Sequence, residues 1–181
     1  GEYSYRYFLH HKLLDNGYNV DFVGSMTNLY SGDYGDYDFD QDHEGHTGWR
    51  AEEVLANVTQ WVTSADPDVV LLHIGTNDIY QGQSVGSTLT DVEGIIDAIR
   101  GVSPSIKIIV AKILPLVDHS AEVQSFNSGL ETLAASKSVG LADMYTGFSL
   151  SGDLYDGIHP DTSGEQKMAD RWYAELAPML V

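Results

Sequence analysis

The sequence predicts an α/β fold in which a parallel sheet lies between layers of helices. Two observations carry that prediction. The apolar runs "DVVLLHIG" (68–75) and "IKIIVAKI" (106–113) lack the alternation of a half-exposed strand, as expected where both faces of a sheet are covered. Segments with helical spacing separate the apolar runs, and strands that alternate with helices pair in parallel through crossovers. The chain has 181 residues, which suits one domain over 1–181, and no linker divides it.

The elements follow in order. Residues 3–16, "YSYRYFLHHKLLDN", place Tyr5, Phe8, Leu9 and Leu13 on one helical face, with Gly17 as the stop. "NVDFVG" (19–24) alternates like a short strand, and 31–49 reads as a long loop rich in Gly, Asp and Tyr. Residues 50–65 return to helical spacing through Val54, Leu55, Val58, Trp61 and Val62. After the apolar strand at 68–75 come a helix over 87–101, a strand over 106–113, a helix over 120–137, a short strand at "GLADM" (140–144) and a last helix over 162–177. The pattern opens on a helix, where this architecture expects a buried strand first.

Charge narrows the function classes. Nine basic residues against 27 acidic ones give a formal net charge of −18. Such a surface repels phosphate backbones and anionic lipid, so neither nucleic acid nor membrane is an expected partner, whereas a neutral sugar is tolerated. No apolar run approaches the length of a membrane span, and no leader or lipidation motif is visible. There is no Cys, which excludes disulfides, thiolate chemistry and Cys-ligated zinc.

Three short stretches bear chemistry: "HEGHTGW" (43–49), "GTND" (75–78) and "DGIH" (156–159). Ligands of open α/β sheets bind at the carboxyl ends of the strands, where such loops converge. Asp156 and His159 pair an acid with an imidazole that it can orient, which is two-thirds of a nucleophilic triad. Asn77 follows an apolar strand directly, and its amide can donate to developing negative charge, although "TND" is also good turn chemistry. Gly48 can offer a backbone N–H to the same charge.

Taken together, "GTND" after one strand and "DGIHP" before the last helix resemble the SGNH (GDSL-type) hydrolases, whose third block reads G-x-N-D and whose fifth reads D-x-x-H. "DHEGHTGWR" and "YRYFLHHKLLDNGYNVDFVGS" resemble, within that group, the acetyl xylan esterases of carbohydrate esterase family 3. The resemblance spans essentially the whole chain. It implies a flavodoxin-like α/β/α sandwich with strand order 2-1-3-4-5. It makes His159 the general base, Asp156 the acid that orients it, and Gly48 and Asn77 two of the three oxyanion donors. Trp49 would line the sugar side of the site.

The first block of that pattern, G-D-S, is absent. The resemblance therefore implies that the nucleophilic Ser and the first strand lie upstream of Gly1. Ser25, in "DFVGSM", follows the second expected strand and lacks the Asp/Gly context, and Ser4 reads as a helix start. His73 reads as a core imidazole, and "HEGH" lacks the H-E-x-x-H zinc spacing. The aspartates at 33, 36, 38, 40 and 42 offer oxygen ligands suited to Ca²⁺, but a solvated acidic loop is the simpler reading. The resulting expectation is a secreted, monomeric serine esterase that removes acetyl groups from a plant polysaccharide such as xylan, or from an oligosaccharide. No cofactor is required for the chemistry, and structural Ca²⁺ is an option. The alternatives are a non-catalytic carbohydrate-binding relative, an inactive fragment, and a lysophospholipase or thioesterase of the same superfamily.

Overall fold

Three parallel strands form the centre of the molecule: β1 (Val69–Leu72), β2 (Lys107–Ala111) and β3 (Gly140–Ala142), in the order β1-β2-β3. The structure, a computed structural model, describes residues 4–27 and 39–180. Val69 pairs with Lys107 and Leu72 with Val110, while Ile109 pairs with Gly140 and Ala111 with Ala142. Parallel neighbours need crossovers, and helices supply them. These are α1 (Tyr5–Asp15), α2 (Ala51–Leu55), α3 (Val58–Ala65), α4 (Thr76–Tyr80), α5 (Val85–Val102), α6 (Ser120–Lys137) and α7 (Thr162–Leu176).

Successive strand residues point to opposite faces, and each face has its own core. Ile108 and Val110 pack with Ile95, Ile96 and Ile99 of α5 and Phe126 and Leu130 of α6, joined by Val70 and Leu72 of β1. Ile109, Ala111 and Ala142 pack with Leu9 and Leu13 of α1 and Met168 and Trp172 of α7, joined by Val69 and Leu71. This is the expected three-layer α/β/α arrangement around a parallel sheet. Leu9 and Leu13 are fully buried, and each such burial contributes about 1.5–3 kcal/mol. Ser4 caps α1 by accepting from Arg6 N, as its sequence position suggested.

Three local readings need correction. Residues 19–24 alternate like a strand but pair with no strand among the described residues. Side chains hold this stretch and its continuation instead: Phe22 N donates to Asp40 Oδ2 at 2.7 Å and Ser25 N to Glu44 Oε2 at 2.9 Å, before a single bridge joins Met26 and His43. Alternation prepares a strand, but a neighbouring ladder makes one. The helix expected over 50–65 breaks at residues 56–57, where the Asn57 side chain folds back to donate to Glu53 O at 2.9 Å. "GTND" forms α4 rather than a bare turn.

β1 differs from β2 in one telling way. All four of its residues are apolar yet only half-buried, whereas the last four of β2 are buried. Its outer edge has no ladder partner among the described residues.

Candidate active site

The site is built where the strands end. Leaving β1, the chain passes Gly75 with φ +114°. That backbone conformation favours glycine, and a Cβ there would also meet the Phe126 ring at 2.7 Å. The turn starts α4 at once, so Asn77 and Asp78 stand on the first turn of a helix at the carboxyl edge of the sheet.

Asn77 and Asp78 both reach the 48–51 loop. Asn77 Nδ2 donates to Trp49 O at 2.9 Å. An amide nitrogen carries two hydrogens, so one remains for a further acceptor. Asp78 is fully buried and accepts from Ala51 N with both oxygens, each at 3.1 Å. Gly48 lies exposed between these anchors and the preceding loop, at φ +82°.

That preceding loop has its own lock. Glu44 accepts from both the N–H and the hydroxyl of Ser25 at 2.9 Å, and meets His46 Nε2 at 2.8 Å. The His46 ring stacks on both Trp49 (centroids 4.3 Å apart) and Trp61 (4.4 Å), whose own rings lie 5.7 Å apart and tilted, so the three rings form one cluster. Trp49 is thus a half-buried member of an aromatic cluster beside Gly48.

The second half of the site is the loop that leads into α7. Leu154 bridges Pro160, and Tyr155 N donates to His159 O at 3.0 Å, folding the loop on itself. Asp161 then caps α7 by accepting from Gly164 N at 2.9 Å. Below, Asp153 is 2% exposed and takes bonds from Lys167 Nζ (2.7 Å) and Ser149 N (2.8 Å). Val117 N, in the segment after β2, donates to Gly157 O at 3.1 Å, which ties the loop to the same edge of the sheet as Asn77.

In this frame Asp156 Oδ2 meets His159 Nδ1 at 2.7 Å, while Oδ1 accepts from His159 N (2.7 Å) and Ile158 N (3.0 Å). Burial pushes the Asp156 carboxyl up, but these bonds outweigh it and hold it at about 2. Nδ1 is therefore fixed on a carboxylate that stays ionised, and Nε2 is the nitrogen left for proton transfer. The Tyr155 ring lies 5.7 Å away from the His159 ring, nearly parallel to it, and is 59% exposed.

The sequence matches the profile of the GDSL-like Lipase/Acylhydrolase family over residues 16–167. The chain belongs to that family. A multidomain esterase of Ruminococcus flavefaciens is 28% identical over 204 residues, covering 97% of this chain and 26% of that protein. A putative endoglucanase X of Acetivibrio thermocellus is 27% identical over 128 residues, 67% of this chain and 55% of that protein. The chain thus spans about a quarter and about half of these two relatives. Among solved structures, an acetyl esterase mutant with acetate ion superposes with TM-score 0.90 at 30% identity, covering 98% of this chain and 91% of that one. A carbohydrate esterase family 3 protein from Talaromyces cellulolyticus gives 0.89 at 29% identity, covering 98% and 91%. The family 3 carbohydrate esterase of Clostridium thermocellum gives 0.85 at 30%, covering 98% and 87%. This GDSL-family chain resembles the esterases of carbohydrate esterase family 3 in fold and sequence.

The remaining candidates separate on inspection. Ser25 is held by Glu44, and Ser4 by the start of α1. Among the described residues, the His159 ring is hydrogen-bonded to Asp156 and to no serine hydroxyl. His73 follows β1, and burial pushes its imidazole down to about 4. Its Nε2 is sealed from solvent without a partner among the described residues. Asp40 and Asp42 of the acidic loop are described, and Asp40 is committed to Phe22 N and Asp42 N. Asp33, Asp36 and Asp38 lie outside the described residues. Asp78, and the contacts that Glu44 and His46 make, went unread in the sequence. Their neighbours "GTND" and "HEGHTGW" were the only signal.

Proposed function

We propose that this chain is the body of an acetyl esterase that deacetylates a plant polysaccharide such as xylan, by Ser-His-Asp chemistry, outside the cell and as a monomer. The observation that carries the proposal is the Asp156–His159 pair, whose carboxylate is fixed by three hydrogen bonds and whose imidazole is exposed at the sheet edge. A net charge of −18 favours a neutral carbohydrate over an anionic lipid or polymer.

In this reading a serine hydroxyl attacks the acetyl carbonyl as His159 Nε2 takes its proton. Asp156 holds the imidazole in the required tautomer and stabilises the imidazolium. The Gly48 N–H, the second Asn77 amide hydrogen and the nucleophile's own N–H receive the oxyanion. His159 then protonates the sugar alkoxide, and water repeats the cycle on the acyl-enzyme. In this reading the serine is carried by a strand seated beside β1. The half-exposed apolar face and open edge of β1 support that placement, as do the engaged hydroxyls of Ser4 and Ser25.

The test is His159→Ala in the full-length protein, assayed with p-nitrophenyl acetate and acetylated xylan. Turnover should fall by about 10³-fold or more with unchanged circular dichroism. A variant that keeps a tenth of the activity would remove His159 from the mechanism.

A further inference from the structure

Two adjacent side chains of α4 hold the backbone on the far side of Gly48. Asn77 binds Trp49 O, one residue beyond Gly48, and Asp78 binds Ala51 N, three residues beyond. The Asn77 bond orients a carbonyl. The Asp78 bond anchors the first N–H of α2 and so fixes the point from which the loop runs back.

The identity of residue 78 is the informative part. It is fully buried, and so is Ala51. Burial pushes the Asp78 carboxyl up, opposed by the N–H of Ala51 and its own N–H and, more weakly, by Arg50. Asn or Ser could cap the same N–H without the cost of burying an ionisable group. A carboxylate adds a stronger, charge-assisted acceptor and favourable charge at a helix start. Both oxygens lie 3.1 Å from the Ala51 N–H, and the carboxyl also interacts with its own N–H. This buried carboxyl tether therefore sits three residues from the backbone N–H read as an oxyanion donor.

We propose that Asp78 is a positioning residue of the esterase, aiming the Gly48 N–H at the oxyanion through Ala51 and the intervening loop. The proposal rests on the reading of Gly48 and Asn77 as oxyanion donors. Displacing a reacting group by about 1 Å can cost on the order of 10²-fold in rate, which sets the scale.

The test uses the full-length protein with Asp78→Asn, Asp78→Ala and Asn77→Ala. Active centres are counted with an alkyl fluorophosphonate, so that misfolded molecules drop out of kcat. Affinities for acetate and for a boronic acid that forms a tetrahedral adduct are measured alongside. Asp78→Ala should lower kcat per titrated centre by about 30- to 100-fold, and Asp78→Asn by about 3- to 10-fold, since Asn keeps an acceptor but not the charge. KM should stay within about threefold, and boronate affinity should fall in step with kcat/KM while acetate affinity does not. Wild-type kcat per centre and unchanged boronate affinity in the Asp78 variants, whatever their melting temperatures, would make Asp78 a purely structural group. If Asp78→Ala does not fold, Asp78→Asn decides alone. Asn77→Ala separates the two readings. If it loses about 10²–10³-fold while Asp78→Asn loses nothing, only the positioning role fails. If Asn77→Ala also keeps full kcat, the oxyanion reading falls and takes this proposal with it.

Discussion

Gly75→Ala should be among the most damaging single-methyl additions in the molecule, and its cost can be worked out in two parts. The first is conformational. Holding a non-glycine residue at φ +114° costs about 1–3 kcal/mol. The second is steric. The new Cβ would stand 2.7 Å from Phe126 Cζ and 3.0 Å from Cε1, against a ring that is fully buried and has no room to swing. Overpacking of that kind costs about 1–3 kcal/mol. The sum is about 2–6 kcal/mol, a large share of the roughly 5–15 kcal/mol that holds a domain folded. Phe126→Leu, which withdraws the ring edge, separates the parts. In that background Gly75→Ala should cost about 1–3 kcal/mol less than in the wild type, because only the conformational part remains. Guanidinium melts of the four full-length proteins give the cycle. A Gly75→Ala cost under 1 kcal/mol would refute the argument. So would additivity of the two substitutions within about 0.5 kcal/mol.

Two further outcomes follow from carboxylates, one half-buried (Glu165) and one buried (Asp153). Burial pushes Glu165 up to about 7 from an ordinary 4.5, against the Tyr5 N–H that it accepts and the charge of Arg6. The folded chain then holds this proton more tightly than the unfolded chain. Its contribution is most favourable below about pH 4.5 and is lost as pH rises to about 7, by on the order of 3 kcal/mol. The wild-type stability minus that of Glu165→Gln, measured by denaturant melts from pH 4.5 to 7.5, should fall with pH, and a flat difference would contradict the assignment. Asp153→Ala removes a 2%-exposed acceptor from Ser149 N and Lys167, and should cost about 2–4 kcal/mol in thermal melts. It should also lower kcat, because Asp153 supports the loop that carries Asp156 and His159.

Much of this was legible in the sequence, and the exceptions share a cause. The buried strands, α5, α6 and α7 showed themselves through apolar runs and periods that are local properties of the chain. The Asp156–His159 bond was legible because its partners are three residues apart and the loop brings them together unaided. Residues 19–24 misled because alternation states which face is apolar and says nothing of who pairs with the edge. The break at Asn57 came from one side chain competing with the helix for Glu53 O. "GTND" hid a helix because Gly75 enters it through a left-handed turn that the letters alone do not reveal. Asp78, Glu44 and His46 act across gaps of 27 residues, 19 residues and an aromatic stack, and contacts of that kind exist only after the layers have assembled.

The cluster of Trp49, His46 and Trp61 has an optical consequence. The chain holds three tryptophans, and two of them share one imidazole. A neighbouring imidazole drains the excited state of an indole, and does so more strongly once it carries a proton. Emission from this pair therefore depends on the contact with the His46 ring, while Trp172, sealed in the opposite layer, contributes a steady background. A ligand that settled against Trp49 would alter both the brightness and the colour of that emission, without any added dye.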